Sequence, residues 1–351
     1  MEKVIEKITV EEFRHFKQTE LEKADKNLAE WLEVLRRMNG KREDKFIKPW
    51  IEKGRSYINF QETFYHTLRW YKLWKIKNFN HLGWRLDDGI IDNIKQKFSL
   101  LIKYALELNG DKASSDYFKQ YDPCIISRYT AIDYKFQNIT GADINNVLDF
   151  GSGIGRQAFQ WCSRPNVNFF SIDVTESLYL LQNEVYNLLF PEKLREYFYD
   201  PQRFQKADFY SGKGKLYHMP TWKMDLLPDN YFDLIVCVQV LQEINETTLS
   251  YALQQFRRII KKNGLLFIRD KEFWTPAHKV RVGRELLKQG WELSFKYAGD
   301  EGIDIEGVPR LWVFTNKDNK DSFKYLSRIK KWLLPSYPIS YSSWKDFGLP
   351  I

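Results

Sequence analysis

Asp149, Gly151, Gly153 and Gly155 alternate through the stretch NVLDFGSGIGRQAFQW, and Asp173 follows 22 residues after Gly151. Alternating glycines let a backbone take conformations that other residues avoid and pass close to a ligand. A helix starting just beyond them adds unpaired N–H groups and the positive end of a dipole. A carboxylate about 20 residues further on, at the tip of a second strand, accepts the hydroxyl hydrogens of a ribose. Together these residue types serve the binding of a nucleotide-like ligand.

The elements that position them read directly from the flanking residues. Val147, Leu148 and Phe150 form a short apolar run of strand type, broken at once by Gly151, Ser152 and Gly153. Ala158, Phe159, Trp161 and Cys162 then recur at helical spacing, and a second apolar run, 169–172, closes on Asp173. Glycines that merely permit tight packing, with solvated strand-end acids, are the plainer alternative. The agreement of motif, spacing and downstream acid opposes it. A dinucleotide fingerprint, GxGxxG, would need glycine where Arg156 stands, and Asp149 inside the first strand also departs from it.

The pattern (D/E)xGxGxG at Asp149, Gly151, Gly153 and Gly155 resembles motif I of class I S-adenosylmethionine-dependent methyltransferases, over a span of roughly 143–316. The resemblance implies an α/β fold, a Rossmann-like seven-stranded sheet in order 3-2-1-4-5-7-6, and S-adenosylmethionine as cofactor. It also implies that Asp149, Gly151, Ser152, Gly153, Gly155 and Asp173 line the cofactor site. A helix over 176–190 is followed by a polar, aromatic stretch to about Gly214 and a third strand over 216–219. The loop after that strand contacts adenine in the family, which selects Met224 and Asp225. The continuous apolar run FDLIVCV, 232–238, is a central parallel strand buried on both faces and resembles motif IV. The QVLQEI after it brings Gln239, Gln242 and Glu243 to where the family sets polar groups near the methyl. An amphipathic helix over 247–260, the KKNG break and a strand over 265–269 lead to Asp270, Glu272 and His278. These follow the carboxyl end of a strand, the edge at which open αβ sheets bind ligands. A helix over 276–289 and strands over 291–297 and 311–315 complete the expected set.

Methyl transfer to an alcohol needs a base, whereas a carboxylate or thiolate acceptor needs none. His278, Glu243, Asp270 and Glu272 around the expected mouth therefore lean towards oxygen methylation, with His278, Glu243 and Asp270 as the catalytic candidates. No NPPY or DPPY follows the fourth strand, and Cys237 lies inside that strand rather than after it, so base methylation is disfavoured. The helical N-terminal half, motif I, QVLQEI, Pro309 and Arg310 are similar to bacterial sugar O-methyltransferases associated with surface polysaccharide. This implies a sugar or glycan acceptor, lipid-linked and phosphorylated forms included, with DNA not expected and RNA disfavoured. An RNA methyltransferase, a small-molecule methyltransferase and a catalytically silent cofactor-binding protein are the alternatives.

At 351 residues, 43% hydrophobic and 16% aromatic, the chain is globular and divides into 1–140, 141–316 and 317–351. Residues 1–140 are mostly helical, with apolar periodicity over 11–38 and 90–108 and an aromatic-rich stretch over 57–84. This portion reads as a cap over the substrate, and 114–134 as the part that folds over the cofactor. The aromatic stretch, with Arg69, Lys72 and Lys75, suits either a sugar or base platform or a packed core. MEKVIEKITVEEF is charged throughout, unlike a signal peptide, and no run approaches the roughly 18 apolar residues of a membrane span. Cys124, Cys162 and Cys237 have no metal spacing, so a reducing cytoplasm, buried thiols and no metal are expected. The net charge of +8 fits an anionic partner or a lysine-rich solvated surface equally. The basic amphipathic tail, with Phe323, Leu326, Ile329 and Leu333 among lysines, fits peripheral membrane contact or packing on its own domain.

Overall fold

The computed structural model of the chain describes residues 7–23, 57–72, 87–108, 111–138, 143–241, 244, 246–270, 282–297 and 310–316. Helices come first: α1 (Val10–Lys23), α2 (Phe60–Lys72), α3 (Asp88–Glu107), α4 (Lys112–Gln120) and α5 (Cys124–Gln137). α3 starts where the side chain of Asp87 accepts the N–H groups of Gly89 (2.8 Å) and Ile90 (3.3 Å). It buries Ile94, Phe98, Leu101, Ile102 and Ala105, one face at helical spacing.

The sheet begins with β1 (Asn146–Phe150), followed by α6 (Ala158–Trp161), β2 (Asn168–Asp173), α7 (Glu176–Leu189), β3 (Leu194–Glu196), α8 (Lys206–Ser211), β4 (Leu216–Pro220) and β5 (Phe232–Val238). α9 (Glu246–Ile259), β6 (Ile260–Asp270), α10 (Val282–Lys288), β7 (Trp291–Tyr297) and β8 (Arg310–Asn316) complete the described α-helices and strands, with short 3-10 turns at Pro201–Arg203 and Thr221–Leu226. The strand order is β3-β4-β2-β1-β5-β6-β8-β7. Without the short edge strand β3 this is the order 3-2-1-4-5-7-6 implied by the sequence, with β8 antiparallel to both β6 and β7.

Alternate residues of the central strands feed two cores. Val147, Phe169 and Leu234 face one cluster with Phe60, Phe64, Ile94 and Phe98 of the helical segments. Leu148, Phe170 and Ile235 face the other, with Phe13 of α1 and Trp222. Buried on both faces, these strands read as continuous apolar runs.

Several sequence expectations are corrected. The polar stretch before Gly214 holds β3 and α8, because Leu194, Phe204 and Phe209 give it apolar anchors among polar neighbours. KKNG does not interrupt the chain before a strand over 265–269. It lies within β6, where pairing with β5 shifts register between Phe232 and Leu234 so that the extra residues bulge out. The helix after the glycine loop is a single turn, ended as Ser163 Oγ bonds back to Phe159 O (2.8 Å) ahead of Pro165. Phe60 and Phe64 are buried core, Phe64 stacking on Phe118 at 5.5 Å, rather than an open platform. Cys162 and Cys237 are buried, but Cys124 is partly exposed. The helix expected over 11–38 is described only to Lys23, and Trp74, Trp84, Pro309 and the basic tail lie outside the described residues. Among the described residues no helix is long and apolar enough to cross a membrane.

Candidate functional site

β1 carries Asp149 to the carboxyl edge of the sheet, where the chain turns through Gly151, Gly153 and Gly155 with φ of 72°, 60° and 72°. Gly151 N–H donates to Ile172 O (2.9 Å) and Gly155 N–H to Ser152 O (2.9 Å), while Ser152 Oγ donates to Asp149 O (2.9 Å). A Cβ on Gly151 would lie 2.4 Å from a Val240 methyl, and one on Gly155 would lie 2.5 Å from the Tyr186 hydroxyl. On Gly153 it would meet nothing within 4 Å. Packing therefore requires the outer two glycines, whereas the middle one borders open space.

Asp149 is 1% exposed, and its Oδ2 has no hydrogen-bond partner. Burial pushes its carboxyl up to about 7, against the opposing pull of Arg156. Asp173, also buried, accepts the N–H groups of Val174 (2.8 Å) and Thr175 (2.9 Å) on one oxygen. Its other oxygen accepts Gly153 N–H (3.2 Å) and Gln182 Nε2 (3.1 Å). Burial raises its carboxyl, and these four donors draw it down. Its carboxylate thus ties the tip of β2 to the glycine loop.

A second buried cluster joins the helical segments to this loop. Asp133 of α5 receives Arg156 Nη1 at 2.7 Å, Arg269 Nη2 at 2.7 Å and Gln157 Nε2 at 3.0 Å, all on Oδ2. Arg156 directly follows the last loop glycine, and Arg269 is next to last in β6, its guanidinium 5.0 Å from the Tyr129 ring centroid. Sequence reasoning missed Asp133 and Arg269. Arg156 stood in view only as the residue that spoils a dinucleotide fingerprint.

At the exit of β5, Gln239 has φ of 60°, a left-handed conformation rare for a residue with a Cβ, and its N–H donates to Arg269 O (2.8 Å). Such strained positions cluster where function demands them. Val240 then packs on Gly151, so the end of β5 supports the loop. Asp270 ends β6 one residue beyond the Val238–Arg269 pair. Gln242, Glu243, Glu272 and His278 lie outside the described residues. Beyond β4, Met224 is in the core and Asp225 is exposed. Pro220 pairs with Asp173, so Thr221 and Trp222 are the residues that leave the sheet beside Asp173. Both are buried, and the Trp222 indole N–H has no hydrogen-bond partner.

Residues 97–304 match the model of a methyltransferase domain. The chain belongs to that family. It is an enzyme, a methyltransferase whose cofactor is S-adenosylmethionine. Similar solved structures include a SAM-dependent methyltransferase from Aquifex aeolicus, with 18% identity, 52% of this chain and 87% of that one covered, and a TM-score of 0.36. A TehB-like SAM-dependent methyltransferase from Corynebacterium glutamicum matches with 18% identity, coverage of 59% and 100%, and a TM-score of 0.36. A ribosomal protein L11 methylase from Lactobacillus delbrueckii subsp. bulgaricus matches with 14% identity, coverage of 54% and 79%, and a TM-score of 0.37. No curated protein matches the chain. The open space at Gly153 and the unpartnered Asp149 oxygen both fit the methyltransferase cofactor, an extended ligand that carries an ammonium group.

Proposed function

We propose that this methyltransferase acts on a hydroxyl group, that of a sugar or glycan in surface-polysaccharide synthesis, in the cytoplasm. The observation that carries the reading is the exit of β6. Asp270 ends that strand beside Gln239, and Glu272 and His278 follow within eight residues of chain. Three proton acceptors in the sequence from the end of β6 onward suit an acceptor that must lose a proton.

S-adenosylmethionine supplies an electrophilic methyl group on its sulfonium when bound. The chain would hold it through Gly151, Ser152, Gly153 and Gly155, with Asp149 toward its ammonium group and Asp173 toward the ribose hydroxyls. Thr221, Trp222, Met224 and Asp225 belong to the adenine side, and Gln239 to the side of the methyl. His278 is the first candidate base, since an imidazole accepts a proton at neutral pH, with Glu243 and Asp270 as rivals. The helical segments close the acceptor side.

Calorimetry with S-adenosylmethionine and NAD tests the cofactor assignment: binding of the first alone is expected. Transfer of labelled methyl to sugars, lipid-linked glycans and RNA tests the acceptor, and transfer to RNA alone would overturn the sugar reading. His278→Ala or Glu243→Gln, whichever removes the base, should slow transfer about 100-fold with cofactor affinity retained. Wild-type rates in both would move the role to Asp270.

A further inference from the structure

A run of buried polar groups ends on the glycine loop from behind. His218 of β4 is fully buried, with Nδ1 2.6 Å from Glu196 Oε2 and Nε2 3.0 Å from Gln182 Oε1. Hydrogen-bond accounting fixes the Gln182 amide and with it the role of Nε2. Glu196 accepts Tyr179 O–H (2.5 Å) and Phe198 N–H (3.3 Å) on one oxygen and Asn183 Nδ2 (3.0 Å) on the other, so it faces donors throughout. Gln182 donates through Nε2 to Gly153 O (2.7 Å) and Asp173 Oδ2 (3.1 Å). The carbonyl of Gly153 has no proton to give, which sets the amide orientation and turns Oε1 toward Ser171 Oγ (3.1 Å) and His218. The imidazole therefore sits between Glu196 and a carbonyl oxygen, and Nε2 must donate to the latter.

We infer that His218, paired with Glu196, donates through Nε2 to Gln182 Oε1, locking that amide and so positioning the cofactor loop through Gly153 and Asp173. It is a positioning residue; its role rests on this loop being the S-adenosylmethionine site. The surroundings hold the ring in place. Tyr179 stacks on the ring at 4.1 Å and Tyr186 meets it edge-on at 5.3 Å, both from α7. The carboxylate in contact is Glu196 of β3, and Asp173 lies beyond Gln182. The Tyr179 hydroxyl, raised well above its usual range by burial, remains a neutral donor to Glu196. A ring protonated on Nδ1 alone would set the Nε2 lone pair against Gln182 Oε1. The amide would then turn over and present oxygen to the Gly153 carbonyl.

Two measurements test this. Nitrogen NMR of histidine-labelled wild-type protein at pH 7.5, with His218 assigned by loss of its signals in His218→Gln, should show a protonated Nε2. A ring whose Nε2 carries no proton overturns the proposal. Titration with S-adenosylmethionine should then show His218→Leu and Gln182→Leu each weakening binding about tenfold, with the double variant no worse than either single one, because both act through the same amide. KM for the cofactor should rise while kcat at saturation holds. Additive losses, or wild-type affinity in Gln182→Leu, overturn it. If wild-type protein fails to bind S-adenosylmethionine, the cofactor assignment falls, while the ring protonation is judged by NMR independently.

Discussion

A buried carboxyl with an unpartnered oxygen is costly, and Asp149 bears that cost. Its folded-state value is raised from 3.8 to about 7, so the folded chain holds the proton more tightly than the unfolded one. The stability this confers is complete below the unfolded value and is lost as pH rises from about 4 through 7. Asp149→Asn lacks that slope. Urea denaturation of the ligand-free protein should show the variant gaining on wild type across this window, then a constant gap at higher pH. Two glycines separate packing from binding. Gly155→Ala brings a Cβ against Tyr186 and should destabilise by at least about 2 kcal/mol. Gly153→Ala carries only the left-handed backbone penalty of about 1–2 kcal/mol, yet should lose S-adenosylmethionine affinity measured by calorimetry. At Gln239 the opposite trade is expected: Gln239→Gly should raise stability by about 1 kcal/mol and lower the transfer rate. The glycines, Asp149 and Asp173 were legible because a strand, a turn and a second strand encode them locally. The left-handed backbone at Gln239 was not, because tertiary contacts impose it on a residue type that does not prefer it.

Elements show the same division. β5 read correctly from sequence because its apolar run ended at turn residues, and β7 because Trp291, Leu293, Phe295 and Tyr297 alternate with polar residues after Gly290. β3 did not, since its three residues owe their strand geometry to pairing with β4. The lysines and glycine opening β6 signal a turn locally, and only partner strand β5 converts them to a bulge. The joint between α5, the loop and β6 was beyond local reading, since Asp133 and Arg269 lie 136 positions apart. That joint has a measurable strength. Asp133→Asn would leave two buried guanidinium groups sharing no carboxylate, at an expected loss of about 3–5 kcal/mol in chemical denaturation. A loss under about 1 kcal/mol would mean that solvent reaches the pair.

Across the whole molecule, the helical segments and the sheet share cores. Phe60, Phe64, Ile94, Phe98 and Leu101 pack in the cluster that holds Val147, Phe159 and Phe169. Removing residues 1–110 would bare that face, so the remainder is expected to aggregate, or to melt without cooperativity by circular dichroism. At the sheet's outer edge, β3 pairs through Leu194, Arg195 and Glu196 only, and the β4 backbone beyond that pairing ends at Pro220, which has no N–H to offer. A neighbouring molecule seeking to extend the sheet there finds almost no run of free donors and acceptors, which protects a strand-rich protein against edge-to-edge polymerisation at the crowded concentrations of a cell.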